Sequence, residues 1–272
     1  MRRLITALVA LCVAATASAT NNIVMRAVKS QQAYDGISVG GPIKVYVEER
    51  TEGNIIIRAT ENVLDALKLK IEGGSLNICF PEGFKIKRKS DFTQAEVYLP
   101  YNGKLREFSA VGCAQIEVKP HIKATEVDIE SAAASQISLS SITAEKVNIE
   151  AVGASSVKTD IDCVKVDVEI KGAANVTMSG KATKADFEVV GASSLNASEF
   201  ISTHLDAEIS GASKGKMAAE QASIEVTGAS SAEIKCSTIL NASAAGASTI
   251  NYSGDCQVNI SNNSGASTIK ER

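Results

Sequence analysis

The side chains best placed for chemistry in this sequence are Asp160, Asp162 and Lys165, which lie close together along the chain. Paired carboxylates can cleave glycosidic bonds, and several carboxylates with a basic residue and calcium serve enzymes that degrade polysaccharides. No neighbouring segment repeats this group with matching acids. Because alternating Asp and Lys on a strand more often form a solvated face, the sequence favours a protein with no catalytic residues.

Other catalytic and metal-binding patterns are missing from the sequence. His121 and His204 are the only histidines, and neither stands in a sequence arrangement with Ser or Cys that indicates a catalytic triad. Cys-x-x-Cys spacing and Gly-Gly-x-Gly-x-Asp calcium repeats are also absent. We therefore expect no metal and no cofactor.

Charge argues against a nucleic-acid partner. The formal net charge is −3, whereas nucleic-acid-binding domains carry strong basic patches. One basic run occurs, and we interpret it as a solvated strand face, with a contact to an anionic glycan as the alternative. The run comprises Lys85, Lys87, Arg88 and Lys89.

A recurring Gly-Ala-Ser tripeptide, called the corner below, determines how Asp160, Asp162 and Lys165 are positioned. It returns about every nineteen residues, which is too regular for chance and too short for repeats of paired helices. The pattern predicts a solenoid of strands. The corner glycines are Gly153, Gly191, Gly211, Gly228, Gly246 and Gly265, with variants of the motif at Gly112, Ala133 and Gly172.

Apolar residues keep fixed distances from each corner. Val168 and Phe187 stand four residues before their corner glycines, and Val176 and Leu195 stand four residues after theirs. Polar residues fill the alternate positions, and this period of two is typical of strands with one wet face. The sequence therefore predicts an all-β parallel solenoid with coils of about nineteen residues.

The composition of the corner has a steric explanation. Glycine tolerates the positive φ of a tight bend, and copies stacked roughly 4.8 Å apart leave a narrow interior that favours Ala and Ser. Compact turn chemistry is the favoured interpretation, and a ligand-binding row of hydroxyl groups is the alternative. The corner serines that could form a hydroxyl ladder are Ser155, Ser193, Ser213, Ser230, Ser248 and Ser267.

Two cysteines are candidates for a disulfide. Cys236 and Cys256 precede their next corner glycines by ten and nine residues, so they are expected on neighbouring coils and close to bonding distance. The alternative is that the cysteines are small buried side chains in interior columns, with Cys113 in the Ala position of its corner.

The chain divides into three parts. Residues 1–19 have a basic start, an apolar stretch and the small residues Ala17-Ser18-Ala19, which predict a secretory signal peptide. A lipoprotein signal acylated at Cys12 is the alternative. Residues 20–33 are expected to be an irregular lead-in, and residues 34–272 one solenoid domain, in which 34–111 are less regular and 112–272 carry the corners. Within residues 34–111, Glu61 to Lys70 are predicted as strands with a loop. The polar last coil of the domain is predicted to be a cap.

Taken together, the signal peptide, the strand run from Gly36 to Val45, the segment Gly73 to Ile78 and the serial corners resemble one family. This is the GIN-domain family of putative auto-transporter adhesins, which are secreted bacterial proteins without an established biochemical activity. The resemblance implies a right-handed parallel β-helix and carries no catalytic residues.

These observations favour a secreted, non-catalytic protein of the cell envelope or surface that binds a glycan or a protein along a flat flank of the solenoid. A β-helix enzyme acting on polysaccharide and a self-assembling structural scaffold are the alternatives. We expect export by the signal peptide to the periplasm, cell surface or exterior, and no other segment is apolar and long enough to span a bilayer.

Overall fold

The computed structural model describes residues 11–12, 23–29, 32–50, 53–84 and 94–272. The signal-peptide prediction therefore lies outside the described residues, apart from Leu11 and Cys12, and so does the basic run at 85–89. The described residues are nearly all β, with 73% of them in strands, and they form a β-solenoid of about nine turns spaced by about 19 residues. This confirms the fold predicted from the corners.

The N-terminal part contains eight strands and one short helix among the described residues. They are β1 (Leu11–Cys12), β2 (Ile23–Val28), β3 (Gly36–Gly40), β4 (Ile43–Glu48), β5 (Ile55–Thr60), α1 (Glu61–Ala66), β6 (Lys68–Glu72), β7 (Ser75–Cys79) and β8 (Ala95–Pro100).

The remaining strands form the regular coils. They are β9 (Glu107–Gly112), β10 (Gln115–Lys123), β11 (Glu126–Ala133), β12 (Gln136–Gly153), β13 (Ser156–Gly172), β14 (Asn175–Gly191), β15 (Ser194–Ile209), β16 (Lys214–Val226), β17 (Ser231–Ala244), β18 (Thr249–Ser253), β19 (Gln257–Asn263) and β20 (Thr268–Glu271).

Parallel pairing joins each regular coil to the next. Between β13 and β14 the register places Val168 beside Phe187 and Gly172 beside Gly191, so residues at equal distances from their corners stack in columns. Val168 and Phe187 are both almost fully buried. The apolar columns found in the sequence are therefore the core of the solenoid.

The N-terminal part pairs differently, and two expectations for it were wrong. Strand β2 lies within the segment expected to be irregular, and it pairs antiparallel with β5, which pairs antiparallel with β8. The segment expected to form strands with a loop begins with helix α1 instead. Val63 and Leu64 of α1 are buried, and Glu61 favours the first helical turn because of the helix dipole.

Glycine at the corner is required by backbone geometry. Gly191 has a φ of +96°, and a Cβ there would lie 2.5 Å from the carbonyl oxygen of Gly172 in the coil before it. Ala133 adopts the same left-handed region with a φ of 64°. The corner therefore tolerates Ala at this early coil, whereas the later corners bring backbone too close for a side chain.

The two small residues after the glycine face opposite sides, which corrects the expectation that both line a narrow interior. Ala154 and Ala192 are exposed, whereas Ser155 and Ser193 are buried. Consistent with this, Cys113 in the Ala position is exposed, so the interpretation of Cys113 as a buried side chain was wrong. Ala and Ser therefore lie on opposite sides of the short bend that separates one strand from the next, as between Gly153 and Ser156.

The corner serines bond mainly to backbone carbonyl groups. The hydroxyl of Ser193 donates to the carbonyl of Val190 at 2.9 Å, and that of Ser248 donates to the carbonyl of Val226 at 2.9 Å. At Ser193 and Ser248, these separate contacts within or between coils favour compact turn chemistry over the alternative of a row of hydroxyl groups.

The C-terminal coil contains a register slip. Strand β19 pairs with β17 through a shift between Ala242 and Ser243. Ile260 of β19 is 53% exposed, and polar Asn259 and Asn262 flank it. This last coil has neither the antiparallel strands nor the helix that the described N-terminal part contains.

Candidate functional site on the charged flank

A row of glutamates runs along one outer face of the regular coils. Each stands three residues before its corner residue, and the strand register stacks them directly on one another. Their side chains point outward and are exposed or half-buried. This Glu row comprises Glu130, Glu150, Glu169, Glu188, Glu208 and Glu225.

Two further polar rows flank the Glu row on the same strands, and the three rows together are called the charged flank. Five residues before the corner stands an Asp row, and seven before it a Lys row. The Asp row comprises Asp128, Asn148, Asp167, Asp186 and Asp206, and the Lys row comprises Lys146, Lys165, Lys184 and His204.

Ion pairs link the Lys row to the acids beside it. Lys165 Nζ lies 2.7 Å from an oxygen of Asp167. Lys146 Nζ lies 3.1 Å from Glu126 and 4.0 Å from Asp167, and the lysine contact lowers the pKa of the Glu126 carboxyl. Lys146 and Lys165 thus neutralise Glu126 and Asp167, and in the described part of the chain they form no ion pair with the Glu row.

Burial and the stacking of like charges raise the pKa of one carboxyl group in the Asp row. Burial raises the pKa of the Asp186 carboxyl, and the neighbouring carboxylates of Asp167 and Asp206 raise it further. Like charges opposite each other on adjacent strands are destabilising. An open cleft of 510 Å³ lies over these residues, lined by Asp128, Asn148, Glu150, Lys165, Asp167, Asp186 and Glu188 among others.

The chemistry open to this flank is recognition of an extended partner. Within the described ranges, no group of three or more His, Cys, Asp and Glu side chains is arranged to hold a metal ion. The flank instead repeats its charges once per strand, at roughly 4.8 Å. Such a periodic surface suits a partner that is itself long or repetitive.

Sequence reasoning missed the charged flank although the signal was present. The fixed distances that revealed the apolar columns also place Glu150, Glu169 and Glu188 in one column. Polar positions were treated only as the wet face of each strand. Counting residue types at those positions would have found the Glu row.

The candidate catalytic group is dispersed. Asp160 accepts a hydrogen bond from the Ser179 hydroxyl at 2.7 Å, Asp162 pairs with Lys181 at 3.3 Å, and Lys165 pairs with Asp167 in the charged flank. Asp160 and Asp162 border a separate cleft of 560 Å³ with Lys181. Lys165 does not line that cleft, so the three residues do not form one site.

The histidines have different surroundings. His121 lies opposite Ser141 on the adjacent strand, with 2.8 Å between Nδ1 and the hydroxyl oxygen, a contact that the sequence did not reveal. Both residues are on the outer surface, and no acidic partner orients His121 in the part of the chain that the structure describes. His204 continues the Lys row. In the described ranges, neither histidine is placed together with both a nucleophile and an acid.

Comparison with known proteins identifies the family. The family model "Putative auto-transporter adhesin, head GIN domain" matches residues 33–221. The chain belongs to this family. The resemblance inferred from the corners and the N-terminal strands is thereby confirmed, and no curated protein matches the chain significantly.

Solved structures share the fold of this GIN-domain protein. A putative adhesin from Parabacteroides distasonis is 21% identical with a TM-score of 0.72, covering 92% of this chain and 97% of that one. A putative adhesin from Parabacteroides merdae is 20% identical with a TM-score of 0.69, covering 95% and 100%. A putative lipid binding protein from P. distasonis is 19% identical with a TM-score of 0.69, covering 92% and 97%.

The cysteines of this GIN-domain chain differ in exposure: Cys163 and Cys236 are buried, Cys79 and Cys256 are half-buried, and Cys113 is exposed. Burial raises the pKa of the Cys163 thiol to about 12. Cys236 and Cys256 are free thiols that share a side-chain hydrogen bond, which places them side by side on neighbouring coils. The disulfide between them stays a prediction.

The only helix among the described residues is α1, which has six residues. No helix in this part of the GIN-domain chain has the length and apolar character needed to cross a membrane.

Proposed function

We propose that this GIN-domain protein is a non-catalytic binding module of the bacterial cell envelope or surface. It holds a glycan or protein partner along the charged flank. The family description and the adhesin-like solved structures support a surface role. Export depends on residues 1–19 acting as a signal peptide.

The Glu row carries this proposal. Glutamate occupies the same outward position in six successive coils, although stacked like charges oppose folding. Folding would be served equally well by Thr or Gln at these positions. A function in recognition explains a surface that the fold does not need.

The dispersal of polar groups supports a protein without catalysis. Asp160, Asp162 and Lys165 each have a different partner, and His121 has no orienting acid in the described part of the chain. Hydrolysis of a glycoside needs two carboxyl groups held on either side of one bond. The ion pairs of the charged flank suit attraction and alignment of a partner instead.

A binding screen with a matched variant tests the proposal. The purified protein is applied to glycan arrays and to extracted envelope proteins, and each captured partner is measured again with the triple variant E150Q, E169Q and E188Q. We expect at least tenfold weaker binding of the triple variant, with a loss of salt dependence, because three outward carboxylates of the Glu row are removed, including that of Glu169, which pairs with Lys171.

A second triple variant controls for charge alone. Glu82, Glu199 and Glu220 are exposed glutamates outside the Glu row, and changing them to Gln alters the net charge equally. Binding should be unchanged in this control. No partner on either array, or equal weakening by both triple variants, would contradict the proposal.

A further inference from the structure

A second polar surface lies on the strands that follow each corner, on a different face from the charged flank. Here β4, β10, β12 and β13 run side by side in parallel, and a groove of 390 Å³ opens on their outer side. Sites for small ligands have volumes of about 300–1,000 Å³. This polar groove is lined by Lys44, Gln115, Glu117, Lys119, Gln136, Ser138, Ser140, Ser156 and Lys158, with the backbone of the strands beneath.

The charge of the polar groove is opposite to that of the protein as a whole. Lys44, Lys119 and Lys158 contribute three ammonium groups, and Glu117 contributes the single carboxylate, whereas the chain has a net charge of −3. None of the three lysines forms an ion pair within 4.0 Å in the described part of the chain. The groove therefore complements an anionic ligand.

One of these ammonium groups is held in place before any ligand arrives. Lys44 Nζ lies 4.9 Å from the centre of the Tyr46 ring, and Tyr46 in turn stacks on Tyr98 with 4.9 Å between ring centres. A cation over an aromatic face is attracted by the ring. The tyrosine pair thus fixes the cation at the edge of the groove.

The floor of the polar groove also contains uncharged side chains that can form hydrogen bonds. The register aligns Gln115, Gln136 and Ser156 in one row, and Glu117, Ser138 and Lys158 in the next. The amide groups of Gln115 and Gln136 make no side-chain hydrogen bond in the described part of the chain. Amides and hydroxyls spaced at strand intervals match the several hydroxyl groups of a sugar ring.

We infer that the polar groove binds an acidic saccharide, namely the uronic acid units of a polysaccharide. The carboxylates of successive uronate units lie against the lysines at different points of the groove, and the ring hydroxyls bond to the amide and serine floor. Sites for phosphate more often use arginine forks or helix N-termini, and the groove contains neither. The inference does not depend on the partner of the charged flank.

Titration calorimetry of the purified full chain tests this site with two matched ligands. Tri-galacturonate is compared with its methyl ester, which keeps the sugar backbone and removes the charge. We expect the acid to bind at least tenfold more tightly than the ester. A poly-glutamate peptide of equal charge should bind at least tenfold more weakly than tri-galacturonate, because it lacks the sugar hydroxyls.

Variants assign the binding to the groove. The triple variant K44M, K119M and K158M should weaken binding at least tenfold, whereas K214M, an exposed lysine on the same face several coils away, should bind as the parent does. Circular dichroism checks that the variants fold.

Failure of this inference is distinguishable from failure of the proposed function. The variant E150Q, E169Q and E188Q should leave uronate binding unchanged. Equal binding of acid and ester, equal binding of poly-glutamate, retention of affinity in the lysine triple variant, or no binding of tri-galacturonate would each overturn the assignment, whatever partner the charged flank has.

Discussion

The regular coils and the N-terminal part solve the same packing problem in different ways. In the regular coils, each strand pairs in parallel with its own copy one coil away, so that apolar, small and charged residues all form columns. In the N-terminal part, β5 runs antiparallel to β8, β2 runs antiparallel to β5, and α1 follows β5.

The difference follows from which sheet edges each part must cover. An interior coil buries both sheet edges against its neighbours, whereas an outermost strand leaves unpaired backbone groups that invite other chains. Antiparallel strands such as β2 and β6 end the parallel stacking on their side of the solenoid. Repetition therefore extends the fold, and departures from repetition end it. Four measurements test this contrast.

The largest expected effect is in the core of the regular coils. Phe187 is almost fully buried and lies 6.2 Å from the ring of Phe200. Phe187→Ala should lower the free energy of unfolding by about 3–5 kcal/mol, because it leaves a cavity that stacked coils cannot fill. Urea denaturation measures the loss.

The matched change in the N-terminal part is Phe80→Ala. Phe80 is only half-buried and stacks on Phe84, so we expect a loss of roughly 1 kcal/mol. Equal losses at Phe80 and Phe187 would contradict the contrast between a tightly packed repeat and a looser terminal part.

Oxidation of Cys236 and Cys256 should stabilise the last coils. Treatment with diamide, which accepts two electrons and two protons, should join the two sulfur atoms and raise the unfolding free energy by about 3 kcal/mol, because a loop of this size loses entropy in the unfolded chain. A mass decrease of about 2 Da, the loss of two hydrogens on forming one disulfide, detects the bond. The variant C256S should show neither effect.

A corner glycine should tolerate Ala less well than a turn glycine. At Gly191, Ala should cost about 2–3 kcal/mol, from the left-handed backbone and the close carbonyl of Gly172. At Gly73, which turns between β6 and β7 with a φ of +63° and open space around it, Ala should cost about 1 kcal/mol. Thermal denaturation compares the two variants, and a larger loss at Gly73 would argue against stacking as the cause.

The smallest effect is on the pH dependence of the charged flank. Because the folded-state pKa of Asp186 is raised, its ionisation opposes folding, so its contribution to stability should improve as the pH falls through that raised pKa. Asp186→Asn should add a few tenths of a kcal/mol at pH 7 and flatten this pH response in acid denaturation curves.

Asp65 in the N-terminal part provides the opposite case. It pairs with Arg26 at 2.9 Å, so Asp65→Asn removes an attraction and should give no gain in stability at pH 7. A gain at Asp65 as large as that at Asp186 would show that lowering the overall negative charge, and not stacking of carboxylates, is responsible.

Local pattern explains how much of the molecule could be predicted. The distances from Gly172 and Gly191 to their apolar neighbours were sufficient for the regular coils, because each coil repeats one set of short-range preferences. The antiparallel pairing of β2 with β5 could not be obtained this way, because no period links those segments. The α1 segment was ambiguous, since its apolar residues suit a helix or a strand.

The charged flank and the polar groove also differ in how far local sequence pattern could predict them. The Glu row lies wholly within the repeat and could have been found by counting residue types at one position. The polar groove needs Lys44 of β4 beside Gln115 of β10, a pairing between segments far apart in sequence and across the boundary between the two parts. Such a juxtaposition becomes visible only when the chain is folded.

The parallel stacking also determines how the molecule responds to force. Hydrogen bonds between coils run along the solenoid axis, so tension between its two ends loads the outermost coil first and opens it without shearing the others. A coil of about 19 residues releases roughly 60–70 Å of extended chain. A solenoid built in this way lengthens stepwise under load, and each released coil lowers the tension until the freed chain is stretched taut.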